Sequence, residues 1–322
     1  MGMRAIVVSE LGGPEVMVRA EQPDPHPGPG QVLVRVTAAG VNFIDIYRRS
    51  GVYKTPVPHV PGGEGAGVVT AVGEGVTGFA PGDHVAWAEG PGSYAEQVAV
   101  PARAAVPVPE GIDLKVAAAA MLQGLTAHYL CHSTFPVTQG AVTVVHAAAG
   151  GVGLLLTQMI KHLGGTVIGT TSSTSKAVLA QRAGADHVTT YEEFPQVVRE
   201  VTGGRGADVV FDGVGKATFD ASLSVLRPRG MMVLFGGSSG QVPPFDLQRL
   251  NSVGSLYVTR PTLGHYIADR AELEWRARDL FGAIAKGELS VRIGAEYPLA
   301  DAPRAHEDLA SRKTTGKLVL IP

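Results

Sequence analysis

One cysteine, Cys131, stands among 322 residues. An intrachain disulfide is therefore excluded, as is a four-cysteine metal site within one chain, and a reducing, cytoplasmic setting is the natural expectation. Charge of one sign is lacking too: 27 Lys and Arg against 29 Asp and Glu leave a formal net charge of −2. That balance argues against a global basic field of the kind that grips nucleic acid. Long apolar runs are missing. The opening MGMRAIVVSE holds only Ala5–Val8 between Arg4 and Ser9, short of the roughly 7–15 apolar residues of a secretory signal. Ile6 breaks the myristoylation pattern that Gly2 would begin. The most apolar stretch, Ala141 to Ile160, is interrupted by His146, Gly150, Gly151, Gly153 and Gln158. It reads as a strand, a glycine turn and a helix rather than a membrane span. No repeat of solenoid period and no long block of like charge is present.

What is present is 45% hydrophobic residue, punctuated by 42 Gly and 22 Pro. The length suggests about two domains. Residues 1–122 read as short strands (Arg4–Val8, Gln31–Ala38, Gly65–Val72, His84–Ala88, Tyr94–Val100) separated by Gly/Pro turns such as Pro27-Gly28-Pro29-Gly30, the pattern of a β-barrel-like unit. From residue 123 strands and helices alternate. The strands are Val142–Ala147, Thr166–Thr171, His187–Thr190, Ala207–Asp212, Met231–Phe235 and Ser255–Val258. The helices between them are Gly151–Leu163, Ser175–Ala183, Phe194–Thr202, Phe219–Leu226 and Asp246–Val253. The alternation predicts an α/β fold with a doubly wound, six-stranded parallel sheet over residues 123–262. Beyond Pro261 come two helices, Asp269–Lys286 and Ala300–Ser311, and a last strand, Lys317–Ile321. The economical arrangement returns residues 263–322 to the first unit.

The first strand of the alternation leads into Ala148-Ala149-Gly150-Gly151-Val152-Gly153, a G-x-G-x-x-G pattern with Ala148 in the first place. The small first residue permits the tight turn. Gly150 admits a pyrophosphate close to the backbone, and Gly153 lets the helix approach the sheet. The helix then offers unpaired N–H groups and the positive end of its dipole to the phosphates. An NAD site usually has an acid about 20 residues on. Here stand Thr170-Thr171-Ser172-Ser173-Thr174-Ser175-Lys176. Hydroxyls and a cation there favour a 2′-phosphate, hence NADPH, with Tyr191 after the third strand able to stack or bond nearby. The competing reading of that segment is an ordinary Ser/Thr helix cap with a solvated lysine.

These pieces resemble the zinc-free NADPH:quinone oxidoreductases, the zeta-crystallin-like branch of the medium-chain dehydrogenase/reductase superfamily. The resemblance spans nearly the whole chain. It rests on Ala39-Gly40-Val41-Asn42-Phe43-Ile44-Asp45-Ile46-Tyr47, Pro61-Gly62-Gly63-Glu64-Gly65-Ala66-Gly67, Ala147 to Gly153, and Thr315-Gly316-Lys317. It implies a GroES-like barrel of residues 1–122 and 263–322, an NADPH-binding Rossmann domain inserted at 123–262, a cleft between them, and a homodimer joined through the nucleotide domains. Zinc-dependent relatives carry Cys where this chain has Asn42, His where it has Gly63, and a further ligand near Gln123. Asn, Gly and Gln do not replace thiolate and imidazole around zinc. His128, Cys131 and His132 sit at helical spacing and offer a rival metal reading beside that of ordinary packed helix residues.

Without zinc, an alkoxide formed from a simple ketone lacks its Lewis acid. A quinone suits the site because it absorbs the charge as an aromatic phenolate. An enone or alkenal, which gives an enolate, remains the alternative, and a non-catalytic NADPH-binding sensor or structural protein is the reading of another class. The resemblance places Asn42, Asp45, Tyr47, Gln123 and Thr126 around the nicotinamide and acceptor, with Asn42 and Tyr47 as hydrogen-bond donors and Asp45 as a proton relay or a structural partner. It expects cofactor contacts from Tyr53, Ala149, Gly150, Gly151, Val152, Gly153, Thr170, Ser172, Ser173, Lys176, Tyr191, Val214, Phe235, Gly236, Gly237, Ser238, Arg260 and Lys317.

Overall fold

The computed structural model describes residues 2–322; Met1, at which the first expected domain begins, lies outside them. The chain divides into two compact units, one running up to Leu125 and joined by Ile267–Pro322, the other Thr126–Tyr266.

In the first unit the long strand Gln31–Val41 is the spine. Gly65–Val72, Gln97–Pro101 and the last strand, Lys317–Ile321, all pair with it antiparallel. The tail joins in a fixed register, Leu318 opposite Val41 and Leu320 opposite Ala39, which brings Lys317 next to the residue after the spine strand, Asn42. Three strands carry no local signal in the sequence, one of them the two-residue Val106–Pro107, which pairs with His84–Trp87. Met17–Pro23 pairs with Gly2–Val8 but buries only Met17, and Ile293–Pro298 pairs with the tail although it contains Gly294 and ends in Pro298. Trp87 and Tyr94 anchor this unit's core with Val34, Val85, Val98, Leu318 and Leu320. The strand expected over Tyr94–Val100 starts only at Gln97, because the amides of Tyr94 and Glu96 donate to Pro61 O and Arg4 O instead of to the spine strand.

The second unit holds a six-stranded parallel sheet in the order His187–Thr189, Thr166–Thr170, Val142–Val145, Ala207–Asp212, Leu226–Leu234, Tyr257–Thr259. The order reverses direction at the central strand Val142–Val145. In open α/β sheets, ligands bind beyond the carboxyl ends of the strands at such a switch point. The fifth strand begins at Leu226 rather than Met231 and carries Arg229 at φ +61°, so Phe235 falls in the loop beyond it. The apolar stretch Ala141–Ile160 is a strand, a turn and the helix Gly151–His162. Among the described residues no helix is long and apolar enough to cross a membrane.

Candidate active site

In the nucleotide unit, the strand Val142–Val145 ends in a turn whose strained residue is Ala147, at φ +52°, one position before the expected Ala148. Gly150 closes the turn by donating its N–H to the Ala147 carbonyl at 2.8 Å. A Cβ on Gly153 would overlap the Ala147 carbonyl oxygen and the Ala148 Cα, so the close helix–strand approach there requires glycine. Gly150 is the N-cap of the helix Gly151–His162 and has no side chain with which to cap it. The first-turn amides of Gly151, Val152 and Gly153 are thus left for a ligand anion.

The segment after the second strand divides its labour. Thr170 is buried, with its hydroxyl 2.9 Å from His146 Nδ1; that corrects its expected role, since the hydroxyl is turned inward instead of toward a phosphate. Ser173 caps the helix Thr174–Arg182, accepting from the Lys176 amide at 3.4 Å. The Lys176 ammonium stands 3.4 Å from Ser172 Oγ, and the Thr171 amide donates to Thr189 O at 3.0 Å, tying this segment to the one bearing Tyr191. Both readings of the segment are therefore physically present: a helix cap, and a cluster of exposed hydroxyls beside a lysine with no acid among them. At the other half of the sheet, Phe235 and Gly236 donate their amides to Asp212 O at 2.9 and 3.3 Å, and Ser238 donates to Gly213 O at 3.2 Å. A Cβ on Gly236 would overlap Gly213, so the Gly213–Gly215 and Phe235–Ser238 loops, with Val214 and Gly237, form one ledge. Thr126 is a buried helix residue. Arg260 is exposed and donates to the adjacent Pro261 carbonyl at 3.2 Å.

In the barrel unit, Asn42 is the N-cap of a seven-residue helix, Phe43–Arg49. Asp45, at the third helical position, accepts the Asn42 amide at 3.0 Å, one arm of a capping box. The Asn42 side chain is held on both sides. Its carbonyl accepts from Lys317 Nζ at 2.6 Å, and its amide donates to Glu64 Oε2 at 2.8 Å and to Gly40 O at 3.4 Å. Lys317 also donates to Glu64 Oε2, at 2.5 Å. The other carboxylate oxygen of Glu64 accepts the Leu122 amide at 2.6 Å, immediately before half-buried Gln123. Glu64 and Lys317 are 0% and 1% exposed. Gly40 makes room for them; a Cβ there would overlap the Glu64 carboxylate and Lys317 Cε.

Two expectations change accordingly. Lys317 is a buried counter-ion, which corrects its assignment as a cofactor contact. Asn42 is a fixed member of this network, because its best donor is already bonded to Glu64. Glu64 itself was missed as a functional residue; the sequence marks it only as the acid left behind where histidine is replaced by Gly63.

Asp45 is also internal. Its Oδ2 accepts from the Tyr94 hydroxyl at 3.2 Å, and that hydroxyl lies 3.0 Å from His306 Nε2. Burial raises the Asp45 carboxyl to about 6, with Lys317 and Arg48 pulling the other way. Asp45, Tyr94 and His306 thus form one buried hydrogen-bonded chain within this unit. Half-buried Tyr47 sits between Phe43, at 6.1 Å between ring centroids, and Tyr53, edge-on at 5.6 Å. Tyr53 is 40% exposed. Phe43, quoted in the motif but given no role, completes an aromatic shelf; its spacing of four from Tyr47 on one helix was the available signal. His128 and His132 stack at 4.2 Å. Among the described residues no group of three or more His, Cys, Asp or Glu could hold a metal ion.

Residues 28–110 match the alcohol dehydrogenase GroES-like domain family, and residues 151–277 match the zinc-binding dehydrogenase family. The chain is 46% identical to a quinone oxidoreductase of Pseudomonas aeruginosa over 99% of both chains. It is 42% identical to a 2-haloacrylate reductase of Burkholderia sp over 99% of this chain and 98% of that one. A mycobacterial protein solved in complex with NADPH superposes with a TM-score of 0.97 at 51% identity, over 99% of this chain and all of that one. The donor set places this chain apart from the zinc enzymes in the family: Asn42 and Gln123 are amides, Gly63 has no side chain, and Glu64 is already paired with Lys317. Glycine-opened helix, acid-free strand end and amide-lined barrel together agree with these relatives, and the chain belongs to the zinc-free quinone oxidoreductase branch of the medium-chain dehydrogenase/reductase superfamily.

Proposed function

We propose that this protein is an NADPH-dependent quinone oxidoreductase. The observation that carries the cofactor is the uncapped N-terminus of Gly151–His162 beside the acid-free run Thr171–Lys176. Such a site accepts the pyrophosphate on backbone amides and a 2′-phosphate on Ser172, Ser173, Lys176 and Tyr191. Bound NADPH supplies the hydride. The chain binds, orients and excludes water, and the acceptor must carry the incoming charge itself. A quinone does so in its ring. The Phe43–Tyr47–Tyr53 shelf suits a flat conjugated ring, and Tyr47 brings a phenol to an acceptor oxygen. The likeness to a 2-haloacrylate reductase supports a second acceptor class, the activated alkenes, whose product anion is equally delocalised.

Turnover of NADPH and NADH with 1,4-benzoquinone, 9,10-phenanthrenequinone, 2-chloroacrylate and an alkenal tests both points. The expected result is higher kcat/KM with NADPH and fastest turnover with a quinone. Preference for NADH refutes the cofactor reading. Faster reduction of 2-chloroacrylate or the alkenal reassigns the substrate, and tight NADPH binding with no turnover identifies a binding protein. A second copy of the chain is the proposed partner. Among the described residues the edge strand Tyr257–Thr259 has one side unpaired and leaves Tyr257 58% and Val258 39% exposed, a template for strand addition. Light scattering that reports a monomer at micromolar concentration refutes it. The lone buried Cys131 supports a cytoplasmic, reducing setting.

A further inference from the structure

Beneath the carboxyl ends of three adjacent strands of the nucleotide unit lies a buried polar chain. His146 follows Val142–Val145, Thr170 ends one neighbouring strand and Asp212 ends the other. All three, with Ser222, are at most 1% exposed. His146 Nδ1 is 2.9 Å from Thr170 Oγ1, and Nε2 is 2.9 Å from Ser222 Oγ. Ser222 reaches Thr218 O at 2.8 Å and Asp212 Oδ2 at 3.3 Å. Asp212 Oδ2 also accepts from the Thr218 hydroxyl at 2.6 Å, and its Oδ1 accepts the amides of Val214 and Gly215 at 2.7 and 2.9 Å. The ring of His146 lies against Tyr191, at 5.8 Å and 29°, and meets Phe194 edge-on at 4.9 Å.

The donor inventory fixes the direction of the chain. A carbonyl and a carboxylate only accept, so the Ser222 hydroxyl donates toward Thr218 O and Asp212 and accepts from Nε2–H. Nδ1 is then the acceptor and the Thr170 hydroxyl donates to it. Burial lowers the pKa of His146 against the opposing pull of Asp212, in keeping with a neutral ring that has one donor and one acceptor.

We propose that His146 is the positioning residue of the dinucleotide site. One ring sets the strand end that leads into Thr171–Lys176, supports Tyr191, and through Ser222 and Asp212 fixes the Val214–Gly215 turn. The proposal rests on the NADPH reading above, which places the 2′-phosphate among Ser172, Ser173, Lys176 and Tyr191. His146 touches none of the ligand itself. It acts by holding the segments that do, and charge-assisted bonds to a phosphate are sensitive to such placement.

The test uses the full chain with 2′,5′-ADP and 5′-AMP as probes in isothermal titration calorimetry, beside kcat and KM for NADPH and NADH. His146→Phe keeps the ring against Tyr191 and Phe194 but removes both hydrogen bonds. We expect about tenfold weaker 2′,5′-ADP binding, as for loss of one to two net hydrogen bonds, with 5′-AMP affected less than about threefold. Saturated kcat should hold within about threefold while KM for NADPH rises. His146→Asn restores an acceptor at the Nδ1 position and should recover most of the 2′,5′-ADP affinity; His146→Gln, which reaches toward Ser222 instead, should recover less. A folded His146→Phe variant with wild-type 2′,5′-ADP affinity overturns the proposal, as does equal weakening of both probes. Should that variant not fold, equal affinities for the Asn and Gln variants overturn it. A wild-type protein that binds 2′,5′-ADP no better than 5′-AMP ends the NADPH reading too, which separates the two failures.

Discussion

Glu64 in one unit and Asp212 in the other are both wholly buried carboxylates, and they are satisfied by opposite means. In the barrel unit, Glu64 faces the ammonium of Lys317. In the nucleotide unit, Asp212 is met by dipoles, the amides of Val214 and Gly215 and the hydroxyls of Thr218 and Ser222. An ammonium on a four-carbon stem neutralises charge with little directional demand, whereas amides and hydroxyls fix geometry. The partners differ in reach as well. Glu64 joins residues from Gly40 to Lys317, tying the chain's tail to its first long strand. Asp212 organises the turn that begins at the next residue and the helix that follows it. The barrel network is therefore a cross-link whose loss is felt as stability, and the nucleotide network is a template whose loss is felt as ligand geometry.

Breaking the cross-link should give the largest effect. Glu64→Ala leaves the buried Lys317 ammonium without its counter-charge and takes one acceptor from the Asn42 side chain and one from the Leu122 amide. Removing one partner of a buried pair costs about 3–5 kcal/mol, and we expect a fall of that size in urea-unfolding free energy. Replacing both partners, as Glu64→Met with Lys317→Met, removes the stranded charge and should cost less than either single change. Asp212→Asn should cost less than Glu64→Ala, because no cation is left unpaired. Single and double variants that lose stability additively would show that the pair is not a cross-link, and the contrast between the units would collapse.

The same unit holds a second buried group that sharpens the contrast through pH. His306 Nδ1 lies 3.4 Å from Arg49 Nη1, and Nε2 lies 3.0 Å from the Tyr94 hydroxyl. Burial, reinforced by Arg49, lowers His306 to about 3. The folded chain keeps this ring neutral while the unfolded chain protonates it below about 6.5, so stability falls as pH drops from there toward 3. Asp45 works the other way: its carboxyl, raised to about 6 by burial, takes up a proton first in the fold. The shift of His306 is the larger, so the net effect is loss at low pH. His306→Gln keeps a donor toward Tyr94 and does not titrate. Its stability deficit at pH 7.5 should shrink by about 2 kcal/mol at pH 5. A deficit constant across that range would show that His306 does not set the acid limb.

The alternating strands and helices of the nucleotide unit were legible because each strand is a short apolar run and each helix has a polar face, signals that need no distant partner. The helix Phe43–Arg49 was not, since Phe43, Ile44, Ile46 and Tyr47 favour strands; the Asn42–Asp45 capping pair was its only local sign. Met17–Pro23 was hidden because its exposed polar residues give no alternation. The Glu64–Lys317 pair spans 253 positions and exists only through the register of the last strand, which no local pattern encodes. His146 read as an interruption of an apolar run. Its partners Thr170 and Ser222 lie on neighbouring elements, so its place as a hub appears only when the sheet is assembled.

The smallest effect should come from the barrel's surface. If the nucleotide unit carries the cofactor geometry and the barrel mainly shapes and supports, then Tyr47, on the Phe43–Tyr47–Tyr53 shelf, orients a reactive acceptor without having to protonate it. Tyr47→Phe keeps the ring contacts and removes one hydroxyl. For a good quinone the product anion is stable enough to take its proton from water, so kcat/KM should fall by no more than about tenfold, roughly 1.4 kcal/mol. NADPH affinity should stay unchanged. A poorer acceptor, an alkenal, leans harder on a donor at its oxygen and should lose more. Stopped-flow oxidation of NADPH with 1,4-benzoquinone and an alkenal gives both numbers. A loss of several orders of magnitude with the quinone would make Tyr47 an essential acid and move the chemistry into the barrel, and a change in NADPH affinity would erase the division between the two units.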